Sequence, residues 1–147
     1  MLGIRKLLFW TLVLVVGYYG LDYIKVHTSG DVVAYKRFAK ALMEDDVYSA
    51  RQAGSRELAA EALSKQTERM KRYQGMRVLL TYYEVLKQNK SREGKTSTLV
   101  VEQVSRVSSD GSTGLWGDGE IRVRHTVRLE QENYRWKVTE FTDPAMR

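Results

Sequence analysis

The chain contains no cysteine, and that absence removes two classes of protein at once. Neither a disulfide-stapled scaffold nor a thiolate metal site can be built from it. Histidine is nearly absent too: His27 and His125 cannot hold a metal without carboxylate help, and no such motif is visible. No metal and no cofactor is expected. The one proline, Pro144, lies near the C-terminus, so the chain carries no Asn-Pro turn. Acidic side chains are sparse in the middle of the molecule. Residues 51–92 hold ten Lys or Arg against four Glu, whereas residues 93–147 hold eight basic and nine acidic side chains. The formal charge of +6 is therefore concentrated. A basic middle suits a solvated helix face, anionic lipid headgroups or an acidic partner protein. Nucleic acid is not expected, because no recognition motif accompanies the charge.

Long apolar runs are equally scarce, and the one present is informative. Arg5 and Lys6 precede an uncharged run from Leu7 to Leu21, which closes with Asp22 and Lys25. The run is shorter than the ~20 residues that cross a bilayer at ~1.5 Å per residue. Leu2 and Ile4 before it, with Tyr23, Ile24 and Val26 after it, lengthen the segment to residues 2–26. Arg5 and Lys6 can snorkel to one headgroup layer, and Trp10, Tyr18, Tyr19 and Tyr23 suit the membrane interfaces. The rival is a cleaved signal peptide, but Gly17-Tyr18-Tyr19-Gly20 puts tyrosines where a cleavage site needs small residues. The reading is an uncleaved anchor over 1–27. The N-terminus then lies in the cytoplasm and residues 28–147 lie across the inner membrane, in the periplasm or another extracytoplasmic space. Those residues suffice for one domain with a single core.

Thr28 or Ser29 can cap a helix, with Asp31 near the positive end of its dipole. Val32, Tyr35, Ala39 and Leu42 recur at helical spacing, flanked by Phe38. The helix slackens at Glu44-Asp45-Asp46, and a shorter turn continues from Val47 to Ala53. Gly54-Ser55 opens a second long helix, Arg56 to Gln74, with Ala59, Ala62, Leu63, Met70 and Tyr73 as its apolar stripe. After Gly75 the period changes from 3.6 to 2. Strands are predicted over 76–89, around Leu99 to Val104, over 121–130 and from Tyr134 towards Pro144. The third alternates most cleanly, with Ile121, Val123, His125, Val127 and Leu129 facing one way and Arg122, Arg124, Thr126, Arg128 and Glu130 the other. No helix remains to cross between parallel strands, so the sheet must meander antiparallel. The fold class is α+β: an N-terminal transmembrane helix, then helices packed on a curved antiparallel sheet of about four strands.

This order, together with Phe38-Ala39-Lys40-Ala41-Leu42, Asp45 or Asp46, Ala50 and the closing Tyr134-Arg135-Trp136-Lys137-Val138-Thr139-Glu140-Phe141, resembles the nuclear transport factor 2-like superfamily. The resemblance covers residues 31–143 as a pattern of topology and hydrophobicity. It implies a bent sheet wrapping the helices into a cone, often with an apolar pocket at its open end. A membrane helix ahead of such a domain is similar in layout to type IV secretion assembly proteins, whose Asn-Pro turn is missing here. It is also similar to membrane proteins of mycobacterial lipid-import operons.

That superfamily includes enzymes such as ketosteroid isomerase, and catalysis would need a carboxylate base and an oxyanion donor around one pocket. Glu84, Glu102 and Glu140 are the acids to consider, with Tyr82 and His125 as donors. None forms a persuasive pair, and no catalytic residue is assigned. An inward His125 reads as a hydrogen-bonded core residue. Should the cone be hollow, Tyr82, His125, Val127 and Trp136 would border it. Two surfaces read as partner contacts. One is Leu115-Trp116 in the glycine-rich loop from Ser108 to Gly119, although Trp116 can equally fold back over the sheet; the other is the outward row Arg122, Arg124 and Arg128. The expectation is a non-catalytic accessory or scaffolding subunit of a larger membrane complex, in contact with its other subunits and the bilayer. The alternative is a membrane-tethered binder of a small apolar ligand or lipid.

Overall fold

Helical and strand periodicity exchange once along the chain, at Gly75, and the architecture obeys that exchange. The computed structural model describes residues 2–72, 75–108 and 119–142. Among these residues four helices come first: α1 (Leu2–Thr28), α2 (Gly30–Met43), α3 (Val47–Ala53) and α4 (Arg56–Arg72). Four strands come after them: β1 (Arg77–Lys90), β2 (Thr96–Ser108), β3 (Gly119–Glu132) and β4 (Arg135–Thr142). The strands form one antiparallel sheet in the order β1-β2-β3-β4, the meander that short connections demand.

α1 extends the expected apolar segment to Thr28, and its large apolar side chains from Ile4 to Ile24 all stand exposed. The stretch Lys6–Thr28 is long and apolar enough to cross a membrane. A single residue, Ser29, separates α1 from α2, with extended backbone at φ −64° and ψ 143°. Its hydroxyl makes no capping bond; it donates back to the Val26 carbonyl at 2.7 Å and accepts from Gln88 Nε2 at 3.1 Å. Ser29 thus acts as a pinned bend. α3 begins where expected because Asp46 accepts from the Ser49 backbone N–H at 3.1 Å. A Glu61–Lys65 pair at i,i+4 spacing lies along the wet side of α4.

The core lies between the helices and one face of the sheet. Val32, Tyr35, Phe38, Ala39 and Leu42 of α2 are buried with Ala50, Ala59, Ala62 and Leu63, as the helical spacing predicts. Opposite them the sheet presents Leu99, Val101, Val127, Leu129 and Val138. Tyr35 meets Tyr83 edge-on at 5.7 Å, and Phe38 meets Phe141 in the same manner at 5.7 Å. Burying Tyr35 and Phe38 completely contributes on the order of 2 kcal/mol each. The side chains of Met70 and Tyr73 lie outside the described residues.

β1 departs from simple alternation. Its register slips between Val78 and Leu80 and again between Val85 and Lys87, one extra residue each time. Tyr82 pairs with Val104 and Glu84 with Glu102, so both face away from the helices, whereas Tyr83 and Val85 pack against the core. Periodicity alone does not register an inserted residue, because each slip reverses the facing of the residues beyond it.

Gly54 shows how closely α3 and β4 approach. It bridges to Val138, and a Cβ placed on it would lie 2.9 Å from the Phe38 ring and 3.3 Å from the Val138 carbonyl oxygen. Gly54→Ala is expected to destabilise the chain by about 1–3 kcal/mol through overpacking. Denaturant unfolding of the full chain in detergent micelles measures it, and an unchanged midpoint would contradict this packing.

Candidate functional site

The outward arginine row is where the alternation of β3 places it, and it is already paired. Arg122 contacts Glu102 at 2.9 Å and also Glu120; Arg124 reaches Glu102 at 3.4 Å. Arg128 lies 3.5 Å from both Glu130 and Glu140. The complementary acidic neighbours thus come from the same sheet. Glu102 and Glu140 serve as counter-ions there, and Glu84 is an outer-face residue of β1. All three acids lie on the outer face of the sheet, opposite the core-facing His125. Leu115 and Trp116 lie outside the described residues.

The four residues expected around a cone pocket do not meet. His125 and Val127 are fully buried in the core face of β3. His125 Nε2 lies 3.3 Å from Gln103 Oε1, and its ring stacks on Phe141 at 4.7 Å, which is the arrangement of a hydrogen-bonded core histidine. Tyr82 is on the opposite face and 41% exposed. Trp136 is part-buried against the edge of the core, in a different place.

That place is a surface groove of about 950 Å³ between α2, α3 and the start of β4. Trp136 packs at one end over Gly30, where a Cβ would come within 2.9 Å of the indole. Arg37 enters from α2, Arg51 from α3 and Arg135 from β4. Lys40 is occupied by Glu44 at 3.7 Å, Lys137 by Glu132 at 3.1 Å, and Asp46 by the α3 cap. Among the described residues no carboxylate pairs with Arg37, Arg51 or Arg135. Tyr134 borders the same groove and is 96% exposed. No sequence motif announces this cluster, whose arginines come from positions spread over three elements.

Among the described residues the buried carboxylate is Asp31, in the first turn of α2. Ser97 Oγ donates to its Oδ2 at 2.6 Å, Gln88 Nε2 donates to the same oxygen at 2.7 Å, and Lys90 Nζ lies 3.2 Å from Oδ1. Burial alone would push this carboxyl up. The donors Ser97, Gln88, Ser29 and Lys90 outweigh burial and hold it down at about 2. A general base needs the opposite tuning. Asp31 therefore acts as a structural anion, joining the start of α2 to the first hairpin. Elsewhere in the core, Tyr83 is pushed up to about 12 by burial and by Glu44.

A further surface escaped the periodicity argument. β1 is an edge strand, and Leu80, Tyr82 and Leu86 stand exposed along it. Among the described residues no strand covers its outer edge.

No family model matches this chain, and no curated protein matches it. Among solved structures it is similar to the intermembrane-space region of the chloroplast protein ARC6. That match has 17% identity, covers 73% of this chain and 94% of that one, and has a TM-score of 0.28. A superposition that loose assigns neither a fold family nor a function.

Asp31 yields a signed pH dependence. Its folded-state pKa is depressed from 3.8 to about 2, so its contribution is complete above ~pH 5 and is lost as pH falls towards 2. Asp31→Asn is expected to lower stability by about 2 kcal/mol at neutral pH, with the gap to wild type closing near pH 2. Unfolding midpoints of both chains across that range measure the effect; a pH-independent gap would contradict the assignment.

Proposed function

We propose that this protein is a non-catalytic accessory or scaffolding subunit of a larger membrane complex. It is held by α1 and presents a nuclear transport factor 2-like domain on the extracytoplasmic side of an inner membrane. The observation that carries the reading is an apolar helix, its large apolar side chains exposed from Ile4 to Ile24, joined through one residue to a domain whose helix–sheet interior is occupied by packed side chains. Helices first and a four-strand meander after them support the superfamily reading. Arg5 and Lys6 ahead of the apolar run support a cytoplasmic N-terminus.

Partner contact falls to the surfaces that the fold leaves open. Among the described residues the β1 edge has no neighbouring strand beside Leu80, Tyr82 and Leu86, which suits strand addition or an apolar patch on a neighbouring subunit. The outer face beside it offers Arg122, Arg124 and Arg128, whose acidic partners leave part of each guanidinium accessible. A tethered binder of an apolar ligand needs a hollow cone. The inward His125 and Val127 are instead packed within the core.

Mild-detergent extraction of native membranes, then native-gel migration and mass spectrometry, tests the proposal. Migration with a constant set of larger membrane subunits is expected, and migration as a small free species would overturn it. Replacing Leu80 and Tyr82 by Asp should release those subunits while the stability changes by less than about 1 kcal/mol, since both residues are exposed. Retained association would remove the β1 edge from the contact.

A further inference from the structure

α1 ends at Thr28, and the groove between α2, α3 and β4 begins at Gly30, immediately past the Ser29 bend. Two residues of chain reach at most ~7 Å, about the depth of one headgroup layer beyond the hydrocarbon core. If α1 spans the bilayer, the Gly30–Trp136 end of the groove therefore sits in or directly above the headgroups. This placement rests on the anchor reading.

Two features of the groove have no use inside the fold. Arg37, Arg51 and Arg135 converge from three elements without a carboxylate partner among the described residues. The acidic groups nearby, Glu44 and Asp46, are already engaged by Lys40 and Ser49. Tyr134 occupies a left-handed backbone position at φ 61°, next to Asn133 at φ 50°, in the tight turn between β3 and β4. A bulky residue is disfavoured there, and this one gains no burial in return, being 96% exposed. The turn holds an aromatic ring out into solvent at the groove that Trp136 and the three arginines line.

We infer that the groove seats anionic lipid headgroups of the same bilayer that holds α1. Arg37, Arg51 and Arg135 take the phosphates bidentately, and Tyr134 and Trp136 settle at the depth where amphipathic rings prefer to lie. The tether decides the source of the anion. It keeps the groove at high effective concentration beside headgroups, whereas a soluble phosphate or an acidic protein must be captured from solution. The domain then lies against the membrane on its α2–α3–β4 side, leaving the β1 edge and the outer face of the sheet free for other subunits.

Hydrogen exchange of the full chain in lipid nanodiscs tests this. Discs of phosphatidylcholine alone are compared with discs containing phosphatidylglycerol. Slower exchange over residues 130–138 is expected in the anionic discs, and added salt should remove the difference. Each of Arg37→Gln, Arg51→Gln and Arg135→Gln should reduce the docked-to-free ratio about fivefold, and the triple substitution should abolish the protection. Unchanged exchange over β2 shows that these variants remain folded. Equal exchange in both discs, or protection surviving the triple substitution, overturns the inference. Protection in neutral discs on adding inorganic phosphate also overturns it, in favour of a soluble phosphate site. A chain that fails to enter either kind of disc would instead sink the anchor reading, so the two failures are distinguishable.

Discussion

The buried carboxylate of Asp31 is the interaction on which the arrangement of this molecule depends. A negative charge withdrawn from water must be met by donors, and those donors come from Gln88, Lys90 and Ser97 around the first hairpin. The requirement fixes how α2 lies on the sheet at the point where the chain leaves α1. Gln88 also reaches Ser29, so the same side chain that satisfies Asp31 holds the bend between the apolar helix and the domain. Packing further along α2, from Tyr35 to Phe38 and Gly54, is then that of a helix whose first turn is already placed.

The charged surfaces divide into two kinds. On the outer face of the sheet, arginines and glutamates answer one another across the ladder, which keeps a long exposed face soluble without leaving a large excess of either sign. Exposed pairs of this kind contribute ~0–1 kcal/mol each, so their value lies in solubility and specificity rather than stability. In the groove the three arginines stand without such answers among the described residues. The groove does not simply reflect the basic stretch of the sequence: of its three arginines, only Arg51 belongs to residues 51–92.

How much was legible in the sequence varied with the range of the signal. The boundaries of α3 are set by Asp46 and Gly54, and the two faces of β3 by strict alternation, including the inward His125. These are local patterns, and local physics dictates them. Tyr82 faces opposite to the expected side because inserted residues shift the pairing of β1 without altering its composition. Asp31 was visible as a first-turn acid but not as a buried node, since Gln88 and Ser97 lie 57 and 66 residues away. Arg37, Arg51 and Arg135 share no spacing at all, and only the fold brings them to one groove.

α1 carries its apolar side chains on every side, with no polar stripe to favour one azimuth over another in lipid. Ser29 is nevertheless held by bonds to both Val26 and Gln88, so the bend resists twisting. A spindle joined stiffly to its arm makes a crank. If α1 spans a bilayer, its rotation about its own axis would sweep the whole domain through an arc over the membrane plane. The compass bearing of the domain is therefore set by whatever its surfaces hold, not by the helix that carries it.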